Sequence, residues 1–177
     1  MLASRYDSLG DGFIRISGPC FAEFGRPSSG GASTQQALRM NRGDLQALTR
    51  QRLREARALL RASHHSGAYY LAGYAVECAL KACIAGKTQR YEFPDRERVV
   101  QSHTHKLDAL VALAGLKKAL EADMVDDAAL RLNWNIVKQW SEHARYRTDL
   151  QKTDALELYS AISGRNGGLL PWIKRRW

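Results

Sequence analysis

Apolar and polar positions change their rhythm sharply along this chain. Residues 1–39 hold neither a helical nor a strand period, and contain "GDG", "SGPC" and "GRPSSGGAS". From "MNRGDLQAL" onward, helical signals follow one another. The first segment is therefore expected to be a disordered arm or an extension upstream of an authentic start at Met40, and residues 40–177 the folded domain. Asp44 is read as the cap of a helix whose Leu45, Leu48, Leu53, Ala56, Leu59 and Leu60 share one arc of roughly 140°. Arg50, Arg54, Arg57 and Arg61 occupy the opposite side at spacings of four, three and four, a pattern that suits either a solvated face or a phosphate backbone. Arg52 points into the apolar arc and needs a partner there.

"SHHSG", residues 63–67, breaks the chain and allows an antiparallel return. The helix that follows, "YYLAGYAVECALKACI", is apolar and small-residued around almost its whole circumference, as a central helix approached by several neighbours would be. Its exception is a narrow sector holding Tyr70, Tyr74, Glu77 and Lys81, again at spacings of four, three and four. Glu77 and Lys81 are an i, i+4 pair in the favourable order. Burying either charge alone costs several kcal/mol, so this seam is expected to meet Arg52, a second subunit or a ligand.

A long polar connection follows, "GKTQRYEFPDRERVVQS", with a turn at Pro94 and Asp95. The next helix starts near Thr104, with Leu107, Leu110, Val111 and Ala114 inward, Gly115 as its stop, and His105 in its first turn, where the helix terminus disfavours imidazolium. Helical signals resume over roughly 117–131 and over "NWNIVKQWSEHARYR", where Asn133, Ile136, Val137, Trp140 and Ala144 share a face. Asp123, Asp126 and Asp127 are read as solvent-facing acids. Thr153 can cap "DALELYSAI", and "LLPWIKRRW" can fold back onto the bundle. No strand pattern is present after residue 40, so the fold class is all-α, a bundle of about five to six helices.

Totals sharpen this picture modestly. The 177 residues suffice for one core. A net charge of +9, from 27 Lys and Arg against 18 Asp and Glu, permits a polyanionic partner without requiring one. Of the three cysteines, Cys78 and Cys83 lie about 140° apart on one helix and cannot pair locally. No Cys/His spacing suits zinc, no metal or cofactor is called for, and no apolar run reaches a membrane span, so a cytoplasmic location is expected.

The segments "MNRGDLQAL", "GAYYLAGYAVECALKACIAGKT", "FPDRERV", "THKLDALVALAGL", "NWNIVKQWSEHARYR" and "LLPWIKRRW", in this order, resemble bacterial HEPN-domain proteins (higher eukaryotes and prokaryotes nucleotide-binding) over about residues 40–177. The resemblance implies an up-and-down helical bundle, commonly a homodimer, often encoded beside a nucleotidyltransferase, in toxin-antitoxin, defence or RNA-processing systems. Catalytic relatives are metal-independent endoribonucleases with Arg, four to six residues, then His near a late helix. Here no His follows Arg145 or Arg147, and the matching spacing is Arg98 to His103, with His105 a looser version, ahead of the "THKL" helix. Such chemistry needs a base for the 2′-hydroxyl, an acid for the leaving oxygen and a cation at phosphate.

Three functional readings follow. In the leading one the bundle binds RNA, a nucleotide or a nucleotidyltransferase partner through Tyr70, Tyr74, Glu77, Lys81, His105, Arg145 and Tyr146. The second is a ribonuclease toxin using Arg98, His103 or His105, with Arg145 as a further candidate, and the third a non-catalytic structural dimer whose seam fixes helix register.

Overall fold

The computed structural model describes residues 40–87 and 96–177, and these are all-helical with no strand among them. The proposed arm or extension at residues 1–39, Cys20, and the turn at Pro94 and Asp95 lie outside the described residues. Among the described residues, eight α-helices and one 3₁₀ segment appear where five to six helices were expected, because two of the predicted helices are broken and the polar connection contains a helix of its own.

Helix α1, Arg42–Arg61, is started by Asn41 and not by Asp44. The Asn41 side chain accepts from the Asp44 backbone N–H at 3.0 Å, and the Asp44 carboxylate accepts from the Asn41 N–H at 3.0 Å. Asp44 thus serves three positions into the helix, where a carboxylate returns to satisfy the cap's own donor. Leu45, Thr49 and Ala56 are buried, and the Thr49 hydroxyl donates to Leu45 O at 2.8 Å, so its burial leaves no unmade bond. Ser63, at φ 62°, turns the chain into α2, His65–Ala85.

Helix α2 is the centre of the bundle. It packs against α1, against α4 (Leu107–Leu113), the 3₁₀ segment Glu142–Tyr146, α7 (Lys152–Ser163) and α8 (Leu169–Lys174). The reason is its small residues: Ala68, Ala72, Ala75, Ala79 and Ala82 are buried and let neighbouring backbones close in. Gly73 is the extreme case, since an added Cβ would sit inside the Trp140 indole.

Short helices fill the remainder. Arg96–Ser102, expected as connection, forms α3, with its side chains largely exposed. Leu107, Leu110, Val111 and Ala114 of the next segment are buried as expected, and Gly115 ends it at φ +64°. The stretch 117–131 divides into α5, Lys117–Asp126, and α6, Ala128–Val137, because the Asp127 side chain accepts from Leu130 N at 2.8 Å and starts a new helix. Helix α6 then stops at Val137, so Trp140 and Ala144 do not continue its face; both are nonetheless buried, reached through a turn and the 3₁₀ segment. Asn133, the polar residue on that face, donates to Gly167 O at 2.9 Å. Gln151, rather than Thr153, precedes α7, and its backbone N–H donates to the Asp154 carboxylate at 3.0 Å.

The acidic trio is not uniformly solvent-facing. Asp123 accepts from Trp172 Nε1 at 2.7 Å and pairs with Arg176, clamping α8 onto α5, while Asp127 is the α6 cap and only Asp126 stays on the surface. Leu169, Leu170, Trp172 and Ile173 of α8 are buried, so the C-terminal segment does fold back onto the core. No helix among the described residues is long and apolar enough to cross a membrane.

Candidate ligand-binding site

The sequence places Tyr70, Tyr74, Glu77 and Lys81 on one side of α2, and the fold determines what meets them. Glu77 is only 1% exposed. Lys81, one turn on, donates to its Oε1 at 2.8 Å. The second partner comes from elsewhere: His105 Nδ1 lies 2.9 Å from Oε1 and 3.0 Å from Oε2. A carboxylate only accepts, so Nδ1 is the donor and Nε2 remains at the opposite edge of the ring. The His105 side chain is 42% exposed and that of Lys81 23%, so both groups run from the buried carboxylate to the surface.

His105 is not in the first turn of α4, as expected, but precedes its N-cap residue Lys106. The ring is oriented by the Glu77 carboxylate and not by the helix terminus. Arg52, the intramolecular partner foreseen for the seam, also turns elsewhere: it bonds Glu55 at 2.6 Å, which holds the Glu55 carboxyl below its ordinary range and raises the guanidinium. Its guanidinium carbon sits 5.9 Å from the Tyr74 ring centroid, so it contributes a cation over the aromatic part of the seam.

Above Glu77 the seam is aromatic. Tyr70 and Tyr74 stack with centroids 6.0 Å apart and planes 3° apart, and Trp140 lies 6.2 Å from Tyr70 at 28°. Burial pushes the Tyr74 phenol upward, as does the neighbouring Cys78. Burial also raises the Cys78 thiol to about 11, with the Glu77 carboxylate adding to it. Trp140 was legible as an apolar residue, but its stacking role was not: the only signal was an aromatic on a presumed helical face that ends before it.

Comparison with family models, curated proteins and solved structures finds no match. Function therefore has to be argued from the side chains themselves.

The other predicted residues occupy different places. Arg98 is exposed on α3, and His103 is exposed just beyond its end. Among the described residues, hydrogen bonds join Glu77 to Lys81 and His105, which places His105 in the buried cluster. Arg145 and Tyr146 form their own exposed pair on the 3₁₀ segment, the guanidinium 4.8 Å from the ring centroid and Tyr146 72% exposed. A cavity of about 320 Å³ between α4, α5 and Trp134 contains none of the seam residues. No group of three or more His, Cys, Asp or Glu able to hold a metal occurs among the described residues.

Chemically, the Glu77 cluster offers one partly exposed ammonium, one partly exposed imidazole held at Nδ1 by the carboxylate, and an adjoining aromatic pair. The ammonium is a donor suited to a phosphate.

Proposed function

We propose that this chain is a HEPN-type helical subunit that binds a phosphate-bearing ligand, RNA or a nucleotide, at Lys81 and His105. It acts as a homodimer with a nucleotidyltransferase-type partner, in a cytoplasmic toxin-antitoxin or defence-type pair. The motifs quoted above support the family and its partnership. The observation that carries the binding reading is the buried Glu77 carboxylate holding two partly exposed groups, Lys81 and His105, side by side. The carboxylate fixes both, so they meet a phosphate with little ordering left to lose. The stacked Tyr70 and Tyr74 border the cluster, and Arg145 with Tyr146 forms a separate exposed stacking pair.

Titration of a fluorescent RNA oligonucleotide and of a nucleoside triphosphate tests this. Lys81→Ala and His105→Ala should each weaken one or both by about tenfold, the equivalent of one charged hydrogen bond. Unchanged affinity in both variants overturns the reading.

A second reading, the metal-independent endoribonuclease, is favoured by one feature: Nδ1 of the partly exposed His105 is held by the Glu77 carboxylate, which orients the ring as a general base requires. In that reaction Nε2 takes the 2′-hydroxyl proton, the 2′-oxygen bonds to phosphorus, and the P–O5′ bond breaks with a proton delivered to the leaving oxygen. RNA cut to cyclic-phosphate ends with chelator present, and loss of cutting in His105→Ala, would establish it. Arg98→Ala and His103→Ala report whether the exposed pair takes part.

A further inference from the structure

The face of α1 turned away from this site is a separate feature. Arg50, Arg54, Arg57 and Arg61 are all exposed and fall within about 60° of one another around the axis, while Arg52 lies about 160° from Arg50 toward Tyr74. Successive guanidinium-bearing positions are separated by rises of about 6, 4.5 and 6 Å, and the row spans about 16 Å. No ion pair reaches any of the four among the described residues. The two acids of the helix are engaged, Asp44 in the N-cap and Glu55 with Arg52 and Gln51.

At one end the row gains a second element. The Arg50 guanidinium lies 5.4 Å from the Trp177 ring centroid, and Lys174 Nζ lies 5.7 Å from the same ring. Burial lowers the Lys174 pKa, and the charge of Arg50 lowers it further, as two cations drawn to one ring do. Such crowding opposes folding and is relieved when an anion binds.

Three properties select the anion. The row is a run of like charge about 16 Å long, which suits a ligand carrying repeated negative charges. The cations in the row are all arginine, whose planar fork engages phosphate through two bonds, and an indole sits at the end of the row, as on surfaces that track single strands. A lipid surface requires large apolar side chains beside the charges, whereas Leu45, Leu48, Leu53, Leu59 and Leu60 of α1 are buried or half-buried on its other side.

We infer that the Arg50, Arg54, Arg57 and Arg61 face of α1, extended by Lys174 and Trp177, is a track for the sugar-phosphate backbone of single-stranded RNA. It deepens the RNA-binding reading above by adding a second surface, yet does not require that Lys81 or His105 be occupied.

The test is fluorescence anisotropy of the full chain with a labelled single-stranded RNA of about 20 nucleotides, at salt concentrations from about 50 to 200 mM. Arg54→Ala with Arg57→Ala should make the log–log salt slope shallower by about 1.4, from two phosphate contacts at about 0.7 each, and Lys174→Gln by about 0.7. Arg54→Lys with Arg57→Lys should keep the slope, since the charges stay. An unchanged slope in the double alanine variant overturns the track, as does RNA binding unaffected while binding to vesicles of anionic phospholipid is lost. If the alanine pair binds RNA like the wild type while nucleoside triphosphate still depends on Lys81, the track alone falls. If Lys81 and His105 prove irrelevant while the slope changes as stated, the Glu77 reading alone falls.

Discussion

His105 Nδ1 lies 2.9 and 3.0 Å from the two carboxylate oxygens of Glu77, joining residues 28 positions apart across the centre of the bundle. With Lys81 on the same carboxylate, the arrangement satisfies a charge that would otherwise be stranded in an apolar helix. It also makes Glu77 the common support of two partly exposed groups.

Glu77→Gln should therefore destabilise the fold by about 1–3 kcal/mol, since the amide keeps the shape but cannot accept from both partners with a full charge. Glu77→Ala should cost more, because it also leaves a cavity where the buried side chain stood. Urea denaturation midpoints at constant slope report both values. A Gln variant as stable as the wild type would show that the cluster contributes nothing to folding.

Gly73→Ala should be destabilising by at least about 1–3 kcal/mol, although alanine is the better helix former, because the new methyl occupies the place of the Trp140 indole. Trp140 must move, and it stacks on Tyr70, so the near-ultraviolet circular dichroism should change along with the melting temperature. A stabilised variant with an unchanged aromatic spectrum would contradict the close approach.

Alkaline pH should weaken the fold through Cys78. Its thiol is raised from an ordinary value of 9.0 to about 11, chiefly by burial. Between those values the folded chain keeps the proton that the unfolded chain has released, so stability falls as pH rises through that window. Two pKa units correspond to about 2–3 kcal/mol at the upper end, and Tyr74, also raised by burial, acts in the same direction at higher pH. Cys78→Ser should flatten the decline measured by urea denaturation between about pH 8.5 and 11, with Cys83 as the internal comparison, since its thiol is raised as well.

Acid should act through Asp123. The Trp172 indole N–H, followed by the charge of Arg176, lowers its pKa from the ordinary carboxylate value. Stability from this group is present above the unfolded value and is lost as pH falls through the lower folded one. Asp123→Ala should lower the melting temperature at pH 7 and reduce the loss of stability on acidification. It should also release α8, seen as faster hydrogen exchange over residues 169–174. Equal exchange in variant and wild type would remove Asp123 from the docking of that helix.

How much of this was readable in advance depends on separation along the chain. The Glu77 and Lys81 pair is a consequence of helical pitch, and so is the burial of Ala72, Val76, Ala79 and Cys83 around it. His105 was named as a site residue, but its attachment to Glu77 was not, because no periodicity links α2 to a residue ahead of α4. Asp123 carried the same ambiguity: three nearby acids look like a solvated face until Trp172 and Arg176 arrive from 49 and 53 residues away. Trp140 was correctly expected inside, yet on a helix that Val137 had already ended.

What the sequence by itself determined is the set of properties that repeat every turn: the helices of the described residues, a central α2 made of small residues, a polar seam on one of its sides and a row of arginines on the outside of α1. Tertiary structure alone decided which groups meet, placing His105 rather than Arg52 on Glu77 and gathering Arg50 and Lys174 around Trp177. The physical reason is that helical faces follow from local hydrogen bonding and burial, whereas contacts between helices depend on how the whole core closes.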